Sequence, residues 1–147
     1  MTVLFSRKCE YALQGLLYLA KHRDSGPISA DLIAGELGMS REFISKTLQS
    51  LVKEGVVISQ RGKAGGFSLQ KAPEKISLLD IVLIIDGDEV FQGCVLGLPA
   101  CGSEEPCPVH DTWGPLREQT REMLATTSLA SIESTQKLIG IEEHENA

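Results

Sequence analysis

The sequence predicts a mainly α-helical chain with one small β-hairpin, and three observations lead to that prediction. Apolar residues recur at helical spacing along most of the chain, a single β-branched segment at 56–58 precedes a glycine-rich turn, and glycine or proline ends most apolar segments. A length of 147 residues suits one compact unit. The fold class is therefore mainly α with a small β-hairpin.

The first part of the chain predicts three short helices joined by tight turns. Ser6, Ser29 and Ser40 are each placed to cap a helix, and Gly38 and Gly55 end the second and the third. The first helix is expected over roughly 7–23. The apolar face of the third is expected to carry Phe43, Ile44, Leu48, Leu51 and Val52.

A β-hairpin with a basic, glycine-rich tip is predicted next. Residues 56–58 are β-branched, residues 67–69 alternate with period two, and Arg61-Gly62-Lys63-Ala64-Gly65-Gly66 lies between them. Glycine suits a tip that approaches phosphate, because it lets the backbone come near. The alternative is an ordinary solvated turn.

The rest of the chain predicts a buried helix, a loop and a long helix. We expect the buried helix over about 77–86, the loop over 92–110, the long helix from Asp111 and a shorter helical segment over 129–138. In the long helix, Leu116, Met123 and Leu124 form an apolar stripe that a small core does not wholly cover. This stripe predicts a homodimer formed through the helix.

The order of these elements is that of a winged helix-turn-helix. Ala34, Gly38 and Ile44 have the spacing of a helix-turn-helix, although helical hairpins of that spacing also occur in proteins that do not bind DNA. A basic hairpin after three helices favours the winged form, in which one helix enters the major groove and the wing meets the backbone or minor groove. The predicted fold is therefore a winged helix-turn-helix plus a long C-terminal dimerisation helix.

Polar residues of the third helix and of the wing tip are the candidate DNA contacts. Arg and Lys can reach phosphate or guanine, Gln can pair with adenine and Glu can accept from cytosine, although a solvated helix face explains each residue equally well. The candidates are Ser40, Arg41, Glu42, Ser45, Lys46, Gln49, Arg61, Gly62 and Lys63.

Charge is distributed unevenly along the chain. The net charge is −6, yet residues 1–75 carry 11 Lys and Arg against 7 Asp and Glu, whereas residues 76–147 carry 3 against 13. This asymmetry favours a module that meets a polyanion joined to one with another task, although an acidic half is often only a solvated surface.

Three of the four cysteines lie close together in the loop, as Cys94-x6-Cys101-x5-Cys107, and His110 follows. Three thiols cannot all pair with one another, which favours metal binding or redox chemistry in a reducing compartment. Iron or zinc could be bound by these thiolates, with His110 completing a Cys3His set. Structural zinc and uncoordinated thiols are the alternatives.

Several classes of function are disfavoured. No apolar run is long enough to cross a bilayer, and Arg7, Lys8 and Glu10 interrupt any N-terminal leader, so a cytoplasmic protein without membrane contact is expected. His22 and His144 have no nucleophile or carboxylate at a telling spacing. An enzyme is therefore not expected.

Together these residues resemble the Rrf-two (Rrf2) family of bacterial winged-helix regulators. The resemblance rests on Tyr11-Ala12-Leu13, the helix-turn-helix, Arg61-Gly62 with Gly65-Gly66-Phe67, the three-cysteine loop, and His110 with Trp113. It implies a homodimer, binding to double-stranded DNA at a palindromic operator, and an iron-sulfur cluster whose state alters DNA affinity.

The resemblance leaves the cluster type open between two branches of the family. In one, three cysteines and a histidine hold a [2Fe-2S] cluster, which Cys94, Cys101, Cys107 and His110 match. In the other, a [4Fe-4S] cluster takes its fourth ligand from helix one of the partner, and Glu10 lies at that position. We favour [2Fe-2S] with His110, because a ligand at the start of a helix in the same chain is held more firmly than one supplied across the subunit interface. Cys9 is a weaker candidate, or simply a small buried hydrophobe.

The leading hypothesis is thus a transcriptional regulator, expected to be a repressor, that senses redox state, nitric oxide or iron-sulfur supply. Its rival is a cluster-free or zinc-bound winged-helix regulator that responds to thiol oxidation or a small metabolite. The sequence divides into a DNA-binding domain at 1–76, a linking helix and cysteine-rich loop at 77–110, and a dimerisation helix and tail at 111–147.

Overall fold

The computed structural model describes residues 4–98 and 107–133. Within these ranges the chain is mainly helical with one antiparallel hairpin, as the sequence predicts. Cys101 and the second half of the segment predicted at 129–138 lie outside the described residues. The elements, in order, are α1 (Arg7–Lys21), α2 (Ala30–Leu37), α3 (Arg41–Lys53), β1 (Val57–Gln60), β2 (Gly66–Leu69), α4 (Leu78–Asp86), α5 (His110–Thr126) and α6 (Leu129–Glu133).

The predicted serine caps are present. The hydroxyl groups of Ser6, Ser29 and Ser40 each accept the backbone N–H three residues on, at 3.1–3.2 Å. α1 ends at Lys21, two residues before the predicted end, because the chain tightens into a 3₁₀ turn at Arg23–Ser25.

The wing contains an additional pairing that the sequence pattern did not indicate. β1 and β2 pair in antiparallel register, with Val57 opposite Leu69. Ile28, in the connection between α1 and α2, then exchanges two backbone hydrogen bonds with Phe67, at 2.9 and 2.8 Å. The hairpin is thereby anchored to the helical part of the fold.

The main core lies between α1, α2 and α3, and it corrects the predicted apolar face of α3. Ile44, Leu48 and Leu51 are fully buried, and Thr47 is buried with them while its hydroxyl donates to the Phe43 carbonyl at 2.8 Å. Phe43, predicted on the same face, is 36% exposed. It precedes Ile44 by one position and is therefore rotated about 100° from it around the helix.

The C-terminal segments pack on this same core. Leu129 of α6 is fully buried and its backbone N–H donates to the Ile76 carbonyl at 2.9 Å, while the Leu78 N–H donates to Thr127. A fully buried leucine contributes about 2 kcal/mol to folding. Ile76, Ile81 and Leu129 belong to the same core as the buried residues of α1, α2 and α3.

A smaller core joins α1, α4 and α5. It consists of Cys9, Val82, Phe91 and Leu124. Leu124, predicted as part of an uncovered stripe, is 2% exposed, whereas Leu116 and Met123 are 50% and 55% exposed. The uncovered part of the α5 stripe is therefore restricted to Leu116 and Met123.

No helix within residues 4–98 and 107–133 combines the length and apolarity that crossing a membrane requires.

Candidate DNA-binding face and cysteine loop

The candidate residues of α3 lie on one solvent-facing side. Their position follows from the burial of Ile44, Leu48 and Leu51, which turns the opposite side of the helix outward. Ser45 is half-buried, and the exposed members are Ser40, Arg41, Glu42, Lys46 and Gln49. Side chains of this kind on an outward face can meet phosphate or base edges.

Two contacts connect this face to its neighbours. The Nε atom of Arg41 lies 3.2 Å from Oδ1 of Asp31, and both side chains are 69% exposed, so this ion pair contributes little and can be exchanged for phosphate. Nε2 of Gln49 lies 3.5 Å from Oγ of Ser59 on β1, which brings α3 and the wing side by side.

The wing tip presents its two cations to solvent. Arg61, Gly62 and Lys63 are all exposed, and Gly62 has a φ of 103° with nothing within 4 Å of an added Cβ. A Cβ at Gly65 would lie 2.3 Å from the Gln60 carbonyl oxygen. The fold itself therefore requires glycine at 65, whereas the sequence interpretation connected these glycines with phosphate.

An aromatic contact at the edge of this face was missed by the sequence analysis. The rings of Tyr11 and Phe43 meet edge to face with centroids 5.1 Å apart, and Nε of Arg7 donates to the Tyr11 hydroxyl at 3.1 Å. The sequence signal was the one-position offset of Phe43 from Ile44. This contact links the start of α1 to the first turn of α3.

In the cysteine loop, two of the predicted thiols come together. Cys94 and Cys107, both half-buried, interact through their side chains and form no disulfide. The pKa of the Cys94 thiol lies below its ordinary value, chiefly because the Leu96 backbone N–H donates to the sulfur. The N–H groups of Leu98 and Gly97 and the Cys107 thiol act in the same direction, against the effect of desolvation. Backbone N–H groups gathered around a sulfur favour the thiolate, which is the form that binds metals.

His110 is the first residue of α5, and its backbone N–H donates to the Cys107 carbonyl at 3.0 Å. His110 on α5 and Glu10 on α1 are both half-buried. In residues 4–98 and 107–133 no three His, Cys, Asp or Glu side chains are assembled as a metal site, and Cys101 lies outside those ranges. Cys94, whose thiolate form is favoured, and Cys107 beside it are the two members of the predicted ligand set whose side chains the structure brings together.

Cys9 has a different environment. It is fully buried against Val82, Phe91 and Leu124. Burial, followed by the charges of Asp86 and Glu10, raises the pKa of this thiol to about 12. A neutral, enclosed thiol acts as a small hydrophobe, the second of the two roles considered for it.

The three helices, the anchored basic wing and the outward polar side of α3 define a winged-helix DNA-binding protein. The family described as Rrf2, iron-dependent transcriptional regulator, matches residues 5–134. The chain belongs to the Rrf2 family of transcriptional regulators; it is a DNA-binding regulator and not an enzyme.

Relatives and solved structures agree with this assignment. An HTH-type transcriptional regulator of Aquifex aeolicus is 35% identical over 143 residues, which cover 96% of this chain and 94% of the relative. The structure of CymR, the global cysteine regulator of B. subtilis, aligns with a TM-score of 0.77 and 27% identity, covering 92% of this chain and 100% of that one. T. potens IscR aligns with a TM-score of 0.72 and 27% identity, covering 95% and 94%.

Proposed function

We propose that this regulator binds a palindromic promoter site as a homodimer and holds an iron-sulfur cluster whose state alters its affinity for DNA. The observation that carries the proposal is the approach of Cys94 to Cys107. Thirteen positions separate these residues in the sequence, yet their thiols interact, and backbone N–H groups favour the thiolate form of Cys94. Such donors also tune the potential of iron-sulfur clusters.

The proposed ligands are Cys94, Cys101, Cys107 and His110, with Glu10 of the partner subunit as the alternative to His110. A [2Fe-2S] cluster held there would supply one-electron chemistry and reactivity toward oxidants or nitric oxide. Cys107 and His110 are fixed by the first turn of α5, because the backbone of His110 is bonded to the Cys107 carbonyl. On the other side of the loop, the N–H of Gly93, the residue before Cys94, donates to the Glu89 carbonyl at 2.8 Å.

The chain offers a packed route from the cysteine loop to α3 through α1. Phe91 lies in the small core against Cys9 of α1. Further along α1, a Cβ at Gly15 would lie 3.2 Å from Cδ1 of Ile44, so α1 and α3 approach closely there. A change in the loop that displaces Phe91 would therefore act on the element that supports the DNA-reading helix.

The wing provides a test of the proposed DNA contacts. Arg61→Ala is expected to weaken operator binding about tenfold at fixed salt without unfolding the protein, because Arg61 is exposed and supports no core. Fluorescence anisotropy measures the affinity. Lys71→Ala, which removes an exposed cation just beyond β2, serves as a control for lost charge. Equal affinities of the Arg61 variant and the unaltered protein would remove the wing tip from the interface.

The homodimer is tested on the exposed part of α5. Leu116→Glu with Met123→Glu is expected to convert a dimer to a monomer, since these side chains are about half exposed and lie seven positions apart on one side of the helix. Sedimentation at micromolar concentration measures the mass. Glu118→Gln and Glu122→Gln on the same helix form the control. An unaltered protein that sediments as a monomer would overturn the homodimer.

The likeness to the cysteine regulator CymR supports a second function, a cluster-free regulator that responds to thiol oxidation or a small metabolite. An oxidised form of S. aureus CymR also aligns, with a TM-score of 0.74 and 27% identity. In this second function Cys94 and Cys107 would act as a redox pair.

The absorbance of anaerobically purified protein separates the two functions. The leading proposal predicts a brown protein with bands between about 320 and 450 nm and with matching iron and sulfide. Colourless protein with stoichiometric zinc, or with neither metal, would favour the cluster-free regulator.

A further inference from the structure

The carbonyl oxygen of Gly93, the residue before Cys94, accepts hydrogen bonds from two side chains of α5. Nε1 of Trp113 donates to this oxygen at 3.2 Å and Nη1 of Arg117 donates to it at 3.3 Å. The N–H of Gly93 donates in turn to the Glu89 carbonyl at 2.8 Å. Both polar groups of the residue next to Cys94 are thus fixed.

These donors belong to a regular stripe along α5. Trp113, Arg117 and Arg121 are spaced by four residues, so they lie on one side of the helix. Arg121 contacts a different residue, because its guanidinium lies over the ring of Phe91, 5.4 Å from the centroid. The same side of α5 therefore contacts the chain at two points just before Cys94.

The start of α5 also holds the other end of the loop. The His110 N–H donates to the Cys107 carbonyl, and the Trp113 N–H donates to the Val109 carbonyl at 2.8 Å. One helix thus holds Cys107 through its first turn and Cys94 through the Gly93 carbonyl.

We propose that Trp113 and Arg117 are positioning residues that bring the Cys94 thiol to Cys107 before any metal binds. The role in metal binding rests on the proposed iron-sulfur function, but the arrangement of the thiols does not. Because a preorganised pair loses less entropy when its ligand binds, the clamp on Gly93 would make the loop a better acceptor of a cluster.

The test measures how closely the two thiols are held. In a Cys101→Ser background, the protein is equilibrated with reduced and oxidised glutathione. Formation of the Cys94–Cys107 disulfide consumes one oxidised glutathione and releases two reduced molecules, so the equilibrium constant is the effective concentration of one thiol at the other. Cys9 does not interfere, because it is fully buried.

Three variants distinguish the clamp from general packing. Trp113→Phe keeps an aromatic ring, although a smaller one, and removes the N–H. Arg117→Gln removes the guanidinium. Arg121→Gln is the matched control that loses the same charge on the same side of α5. We expect the effective concentration to fall roughly tenfold when both donors to Gly93 are lost, and to change less than about twofold in the control. Arg117→Lys, which keeps a donor, should restore part of the loss.

The double variant combines Trp113→Phe with Arg117→Gln. An equal fall of the effective concentration in Arg121→Gln, or no fall in the double variant, would overturn the proposal. Far-UV circular dichroism and the melting temperature identify a variant that has not folded. If a variant has not folded, the effective concentrations of Arg117→Lys and Arg117→Gln are compared instead. Equal effective concentrations in these two variants count against the clamp.

A second readout connects the clamp to the metal. With Cys101 restored, the reconstituted double variant should lose its visible absorbance in air several times faster than the Arg121→Gln variant, and equal rates would count against the clamp's role in cluster binding. If the protein binds no cluster at all, the glutathione equilibria still distinguish the double variant from the Arg121→Gln control. The proposed function then fails while the positioning of Cys94 stands.

Discussion

Replacing Cys94, Cys101 or Cys107 with Ala is expected to abolish incorporation of the iron-sulfur cluster. Thiolates bind iron more strongly than imidazole or carboxylate, and the loop offers three of them. Anaerobic reconstitution followed by iron and sulfide assays measures the loss, and Cys9→Ala is the matched control because that thiol is enclosed in the small core. Full incorporation in any of the three variants would remove that cysteine from the ligand set.

The fourth ligand should behave differently from the cysteines. We expect His110→Ala to leave a poorly assembled cluster or one with shifted spectra, and Glu10→Ala to have no effect on a cluster held within one chain. Mössbauer spectroscopy separates the cases. A [2Fe-2S] signature lost only in His110→Ala supports the set within one chain, whereas a [4Fe-4S] signature sensitive only to Glu10 contradicts it.

Substituting Gly66 with Ala is expected to destabilise the protein by about 3 kcal/mol and to abolish specific DNA binding. Gly66 has a φ of 150°, and an added Cβ would lie 2.3 Å from the Ile28 carbonyl oxygen. Relieving that clash requires the Ile28–Phe67 pairing to break, which releases the wing from the helical core. Denaturant unfolding measures the loss of free energy, and anisotropy measures DNA affinity.

The matched control is Gly62→Ala at the wing tip. Its φ of 103° disfavours alanine, yet nothing lies within 4 Å of the added Cβ. The expected cost is about 1 kcal/mol, from backbone conformation alone. Equal losses of unfolding free energy in Gly66→Ala and Gly62→Ala would show that the Ile28 backbone does not constrain Gly66.

The comparison of α3 with its sequence pattern shows where local reasoning reaches its limit. Ile44, Leu48 and Leu51 follow the helical period and are buried as predicted. Phe43 was assigned to the same side because it is apolar, but the helical period places it only at the edge of that side, where it is 36% exposed. The residue that completes the buried side is Thr47, whose hydroxyl is satisfied by the Phe43 carbonyl within the helix.

The long helix α5 shows the same limit for charged residues. Charges at helical spacing, such as Arg117 and Arg121, usually form the solvated side of an amphipathic helix. In the structure Arg117 contacts Gly93 and Arg121 contacts Phe91. These partners lie 24 and 30 positions away, and no pattern within α5 indicates them.

The sequence by itself determined the helices, their serine caps, the hairpin and the candidate DNA-contacting side of α3. Each of these depends on hydrogen bonds and apolar spacing within a few residues, which composition and order specify directly. Only the tertiary structure decided that Gly66 lies against Ile28, that Leu124 is covered, and that Cys94 meets Cys107. Those contacts join segments that are distant in sequence, and they form because burying apolar surface brings whole helices together, so their geometry depends on how the helices pack.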